Sequence, residues 1–89
     1  MANHKSALKR ARQAKIRKVR NQAYKTKAKK AVKAVRLAVA ANSEDQAKES
    51  LREAVVTLQR TVSKGAIHRN AAARRISRLT RQVNQLPSA

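Results

Sequence analysis

Glu44, Asp45, Glu49 and Glu53 are the only acidic residues of this chain, and all four fall in one ten-residue window. Paired carboxylates can shuttle protons or hold a divalent cation. The spacing here points elsewhere. Asp45, Glu49 and Glu53 recur every four residues, which places them on one polar helix face, within reach of Lys48 or Arg52. Glu44 and Asp45 fall in the first turn of that helix, where they complement the positive end of its dipole. His4 and His68 stand 64 positions apart with no carboxylate cluster beside either. Zinc needs three or four ligands, so no metal site is expected. His68 suits a phosphate or base edge as well as it suits a helix cap. There is no Cys, hence no thiolate nucleophile, disulfide or Cys-ligated zinc. No Ser–His–Asp set, glycine-rich phosphate loop or nucleotide motif occurs. Neither catalysis nor a cofactor nor a small-molecule substrate is expected.

The cations carry a stronger signal. KSALKRARQAKIRKVR, residues 5–20, holds eight basic residues and no acid: Lys5, Lys9, Arg10, Arg12, Lys15, Arg17, Lys18 and Arg20. At 100° per residue these point in nearly every direction around a helix. A solvated amphipathic helix would keep one face apolar; this pattern suits a helix approached by phosphates from several sides. A second set lies near the C-terminus. Arg74, Arg78 and Arg81 recur at i, i+4 and i+7, with Arg69 and Arg75 flanking them. A helix C-terminus favours cations, which accounts for Arg81 and Arg78 but not for the whole row. Arginine forks match phosphate geometry, so the row reads as an anion-contacting ridge.

Net charge is +19, from 23 Lys and Arg against four acids in 89 residues. That imbalance speaks of partners, and the partner it calls for is a polyanion. The length allows one domain. Only seventeen residues are Leu, Ile or Val, about a fifth of the chain. A thin core and marginal stability without the partner follow. MANHKSALKR lacks the apolar run of a secretory signal, and no window is long and apolar enough to span a membrane. The acid-free first 42 residues are a feature of organelle transit peptides, but Ser6 and Thr26 are too few hydroxyls for one.

These side chains must be positioned by helices. One Gly and one Pro leave little material for turns or strands, and Ala, Lys and Arg are good helix formers. The first break is AANSEDQ, 40–46, with Ser43 as N-cap and Gln46 three residues on, as in a capping box. The second is SKG, 63–65, where Gly65 can take the left-handed conformation that ends a helix. Pro87 stops the third helix. The expected helices are 6–41, 44–64 and 69–85, joined by short connections into an all-α, up-down-up three-helix bundle. Ala47, Leu51, Ala54, Val55, Leu58 and Val62 form the apolar stripe of the second. Ala72, Ile76, Leu79, Val83 and Leu86 form that of the third. In the first, Tyr24, Ala28, Ala31, Val35, Ala38 and Val39 share a face. Leu8, Ile16, Val19 and Ala23 lie well round the helix from it, so the front half should project from the bundle like a handle. The single domain, 1–89, thus divides into a basic helical extension (1–22), the bundle (23–86) and a tail (87–89).

Readers of single-stranded RNA stack bases on aromatic rings, and Tyr24 alone cannot make such a platform. The remaining mode is contact with the phosphates and sugar hydroxyls of folded, largely helical nucleic acid. Duplex DNA is the alternative, as in a nucleoid-type DNA-binding protein, with Gln13, Asn21 and Gln22 able to touch bases. No helix-turn-helix spacing supports it. A membrane-surface helix needs a broader apolar face than Leu8, Ile16 and Val19 supply, so no membrane partner is expected.

MANHKSALKR and KGAIHRNAAARRISRL, residues 64–79, resemble the two signature stretches of a bacterial family, the twentieth of the small-subunit ribosomal proteins. Lys-Gly, then Ile-His-basic-Asn, then Ala-Ala-Arg is not a generic basic pattern. The likeness extends over the whole chain. It implies a three-helix bundle that binds small-subunit (16S) ribosomal RNA directly, early in assembly, with its long first helix among RNA helices. The family's RNA-facing positions carry over to Asn3, Lys5, Ser6, Lys9 and Arg10, and to Lys64, His68, Arg69, Asn70, Arg74 and Arg78. Many relatives are basic where this chain has Ile76. A monomer within the ribosome is expected, beside neighbouring ribosomal proteins, in the cytoplasm of a bacterium or in a plastid.

Overall fold

A computed structural model describes residues 2–86 of the chain, with side chains from residue 4 onward. Three helices make up the fold: α1 (Ala2–Ala40), α2 (Glu44–Ser63) and α3 (Arg69–Asn84). Among the described residues there is no strand. The up-down-up, all-α architecture expected from the sequence is the one observed. Helix α1 starts four residues earlier than the expected Lys/Arg-rich segment, because nothing between Ala2 and Ser6 breaks it. Asn3 has its backbone in this first turn, but its side chain is outside the described set, as is the 87–89 tail.

Both chain reversals use the same device. Asn42 adopts φ 54°, its N–H donates to the Val39 carbonyl, and the Ser43 N–H donates to the Ala38 carbonyl, each at 3.0 Å. Gly65 adopts φ 75°, its N–H donates to Val62 O at 2.9 Å, and the Ala66 N–H donates to Thr61 O at 3.0 Å. Each is a Schellman turn, in which a left-handed residue lets two N–H groups satisfy the last carbonyls of the helix. Asn tolerates this conformation because its short polar side chain can hydrogen-bond locally.

Ser43 does occupy the N-cap of α2, but its hydroxyl makes no capping bond. The capping box expected with Gln46 is not formed. Only three residues separate α1 from α2, and Ser43 closes the α1 turn through its own N–H while it opens α2. Its ψ of 95° serves that double duty. Glu44 and Asp45 still lie in the first turn, where the dipole favours them.

The core is small. Ala28, Val32, Val35 and Ala38 of α1 meet Ala47, Ala54 and Leu58 of α2 and Ala72, Leu79 and Val83 of α3. Ala31, Val39, Leu51, Val62, Ile67, Ile76 and Leu86 pack around them. Two residues join the expected stripes, and two half-buried members of those stripes, Tyr24 and Val55, fall outside this cluster. Val32 joins the α1 face. Thr61 is fully buried on α2, like Ala47, Ala54 and Leu58, while Val62 is only half-buried. Burial costs Thr61 little because its Oγ1 donates to the Thr57 carbonyl at 2.7 Å. Tyr24 is half-buried, with the Lys27 ammonium 5.7 Å from its ring centroid.

At 1.5 Å per residue α1 is about 58 Å long and α2 about 30 Å. The described chain measures 69 × 20 × 14 Å. The excess of α1 is its N-terminal half, where every side chain from residue 4 to residue 20 is exposed. Leu8, Ile16 and Val19 keep 62–69% of their surface in solvent. The handle expected from the change of apolar direction is therefore present.

Leu58 is among the largest fully buried side chains. Leu58→Asp puts an unpaired charge into this core, and circular dichroism melting should lose its cooperative transition. Gly65→Ala is milder. A Cβ there meets nothing within 4 Å, so the cost is conformational. About 1 kcal/mol is expected, read as a melting temperature lower by roughly 4–8 °C.

Candidate nucleic-acid interface

The handle presents its cations without a core to face. Lys5, Ser6, Lys9, Arg10, Arg12, Lys15, Arg17, Lys18 and Arg20 are all exposed. The nearest acids in sequence are Glu44 and Asp45, at the far end of α1. Asn21 marks the junction with the bundle. Its Oδ1 is sealed from solvent without a hydrogen-bond partner. That acceptor is therefore not offered to bases, which leaves the side-chain amide N–H groups of this half-buried residue for any such contact.

On α3 the five arginines, Arg69, Arg74, Arg75, Arg78 and Arg81, are exposed, as are Lys64 and Asn70 nearby. Ile76 sits on the core side, partly buried, as its place on the stripe implied. Two of these arginines also belong to a second feature. Arg75 and Arg78 turn toward α1 and line a groove of about 560 Å³ together with Lys29, Lys33 and Arg36. Arg74 and Arg81 lie outside that lining. The sequence reading missed Lys29, Lys33 and Arg36 because they are interleaved with core residues and belong to neither signature stretch. The short reversals at 41–43 and 64–68 bring α3 back alongside α1 and so create the site.

The groove has Val32 and Leu79 among its lining residues, and Gln82 adds a neutral amide. No carboxylate lines it. Two like charges about 8 Å apart in water repel by about 0.5 kcal/mol before salt screening. Five such groups around one cavity make a standing demand for an anion.

The other flank of α1 has different company. Ala34, Leu37 and Ala38 meet Gln46, Glu49, Ser50 and Glu53 there. Glu44 pairs with Lys48 at 2.9 Å, as the spacing suggested. That hydrogen bond, and then the carboxylate's attraction, raise the Lys48 ammonium above its ordinary 10.5. A raised pKa stabilises the fold below about pH 10.5 and ceases to do so as pH climbs through the higher value. Because Lys48 is solvent-exposed the contribution is weak. Glu44 and Asp45 thus serve a helix terminus, while Glu49 and Glu53 edge this flank. Among the described residues there is no group of His, Asp or Glu able to hold a metal ion, and no helix long and apolar enough to cross a membrane.

His68, left open between two roles, is the N-cap of α3. Its Nδ1 accepts from the Asn70 N–H at 3.1 Å. With Nδ1 accepting, the neutral ring carries its proton on Nε2. The ring is exposed, so that N–H is available to an outside acceptor.

Residues 2–84 match the family model described as Ribosomal protein S20. The chain belongs to the ribosomal protein S20 family. It is 49% identical to the small ribosomal subunit protein bS20 of Syntrophobacter fumaroxidans over 86 residues, 97% of this chain and all of that one. The bS20 protein of Desulfatibacillum aliphaticivorans is 51% identical over 97% of this chain and 98% of its own length. That of Helicobacter acinonychis is 49% identical over the full length of both. The likeness read from residues 1–10 and 64–79 thus extends through the S20 family's whole length.

His68→Ala removes the cap of α3 and should cost about 1 kcal/mol in thermal or urea melts. His68→Asn keeps a side-chain acceptor at the N-cap and should restore most of that loss.

Proposed function

We propose that this protein is a non-catalytic structural constituent of the small ribosomal subunit that binds 16S ribosomal RNA directly. The single observation behind this reading is the handle: a helix with eight cations, no acid, and every described side chain exposed through residue 20. In isolation that helix accumulates repulsion and gains no burial. Among RNA segments each cation releases counterions from a phosphate. The family relatives, named as small-subunit proteins, supply the ribosome as the setting.

In this reading the basic extension up to residue 22 lies between RNA helices, and the 23–86 bundle anchors it. Asn3, Lys5, Ser6, Lys9, Arg10, Arg12, Lys15, Arg17, Lys18 and Arg20 contact RNA from the extension. Lys64, His68, Arg69, Asn70, Arg74, Arg75, Arg78 and Arg81 contact it from the second turn and α3. Most contacts go to phosphates and sugar hydroxyls, so the site is selected by the shape of the folded RNA. By bridging segments that would otherwise repel, the protein stabilises RNA folding during assembly. It acts as one copy per site, in the bacterial cytoplasm, with neighbouring ribosomal proteins as further partners.

If about eight phosphates are neutralised, log affinity should fall with log salt at a slope of about −6 to −7. A slope near −2 in filter-binding titrations sinks the mechanism. Competition with duplex DNA separates the nucleoid alternative, since a shape reader of folded RNA should lose little affinity to it. Footprinting on small-subunit ribosomal RNA with the full chain and with a chain lacking residues 1–22 should show one set of protections lost with the handle and another retained. Arg74→Ala, Arg78→Ala and Arg81→Ala together should weaken binding while helicity stays near wild type.

A further inference from the structure

We propose that the groove between α1 and α3 is a discrete seat for one stretch of phosphodiester backbone, and that its occupancy locks α3 onto α1. This rests on the RNA-binding reading above but assigns a place and a consequence that the reading does not contain.

Three observations carry it. Lys29, Lys33 and Arg36 from one helix and Arg75 and Arg78 from another converge on a single cavity of about 560 Å³. That is the size range of pockets for small ligands. No acid lines the cavity, and all four acids of the chain sit on α2. The exposed lining is also polar throughout, as a nucleotide backbone requires. Arginine forks and lysines suit the phosphate oxygens. Val32 and Leu79 lie at its floor, buried in the core, so the polar rim does the recognising, and the Gln82 amide can meet a sugar hydroxyl.

A polymer fits better than a free anion. Lys18, Lys25, Lys29 and Arg36 follow one another at spacings of seven, four and seven, which keeps them on one side of α1. All four are exposed. The row begins on the handle and ends in the groove, over about 27 Å of helix. A phosphate chain can therefore pass from the extension to the bundle without leaving positive charge.

The locking follows from where packing is thinnest. Helix α1 lies chiefly against α2, while α3 docks mainly on α2 and touches α1 lightly. Across that light seam the cations repel. An anion between them turns the repulsion into a bridge, and whatever binds the folded state alone stabilises it.

The test uses the full chain and inorganic pyrophosphate as a two-phosphate stand-in. Melting is followed by circular dichroism in pyrophosphate and in sodium chloride of matched ionic strength. At about fivefold excess over its Kd, pyrophosphate should raise the wild-type melting temperature by about 4–8 °C relative to chloride. The variant Lys33→Gln/Arg75→Gln/Arg78→Gln should melt at or above wild type in chloride, because repulsion is relieved, and should lose the pyrophosphate response. A handle variant with equal charge loss, Lys5→Gln/Lys9→Gln/Arg12→Gln, should keep it. Equal responses in both variants mean general screening and overturn the proposal, as does a wild type indifferent to pyrophosphate. Ribosomal RNA binding, measured on the same proteins, separates the two readings. A wild type that melts as expected but ignores the RNA refutes the proposed function and leaves the seat standing.

Discussion

Repulsion among cations, opposed by a core of small side chains, is the constraint on which this molecule depends. A net charge of +19 is carried by 89 residues. The buried core consists of alanines, valines and two leucines, with one threonine. Each fully buried aliphatic contributes about 1.5–3 kcal/mol at most. Small alanines let the helices approach closely but bury little area. The balance between the two terms is narrow, and anything that neutralises charge tips it toward the folded state.

The fold manages that constraint by sorting charge rather than by pairing it. The acids are confined to α2, where Glu44 and Asp45 complement the start of the helix and Glu49 and Glu53 edge the seam beside Leu37. The cations crowd α1 and α3, away from those carboxylates. Along the handle they occupy a helix that has no neighbour to repel except itself. At the α1–α3 groove they do face one another, and there the helices pack least. Strain from charge is thus placed where a polyanion can relieve it.

Two reversals give the arrangement its precision. Asn42 and Gly65 each spend one left-handed residue to end a helix with its last carbonyls satisfied. The turns are so short that successive helices must run antiparallel and in contact. That returns α3 to the side of α1, and it fixes which faces of the two helices meet. His68, capping α3 through Nδ1, sets the first turn of the helix whose arginines complete the groove.

Much of this was legible in the residues alone. Helix count, approximate limits, the apolar stripes, the protruding handle and the Gly65 turn all follow from local rules: periodicity, propensity and the scarcity of Gly and Pro. The polyanion partner follows from charge, which needs no fold to be counted. Other features were settled only by the third dimension. Thr61 joined Val62 on the inner face because inward direction depends on how α2 meets its neighbours, and a hydroxyl bonded to its own helix can be buried. Ser43 kept the N-cap position of α2 but not a hydroxyl bond there, while its own N–H closes the α1 turn. Lys29, Lys33 and Arg36 came to share a groove with Arg75 and Arg78 although 39 to 49 positions separate them along the chain. Periodicity says which side of a helix is wet; only packing between helices says which two wet sides face each other.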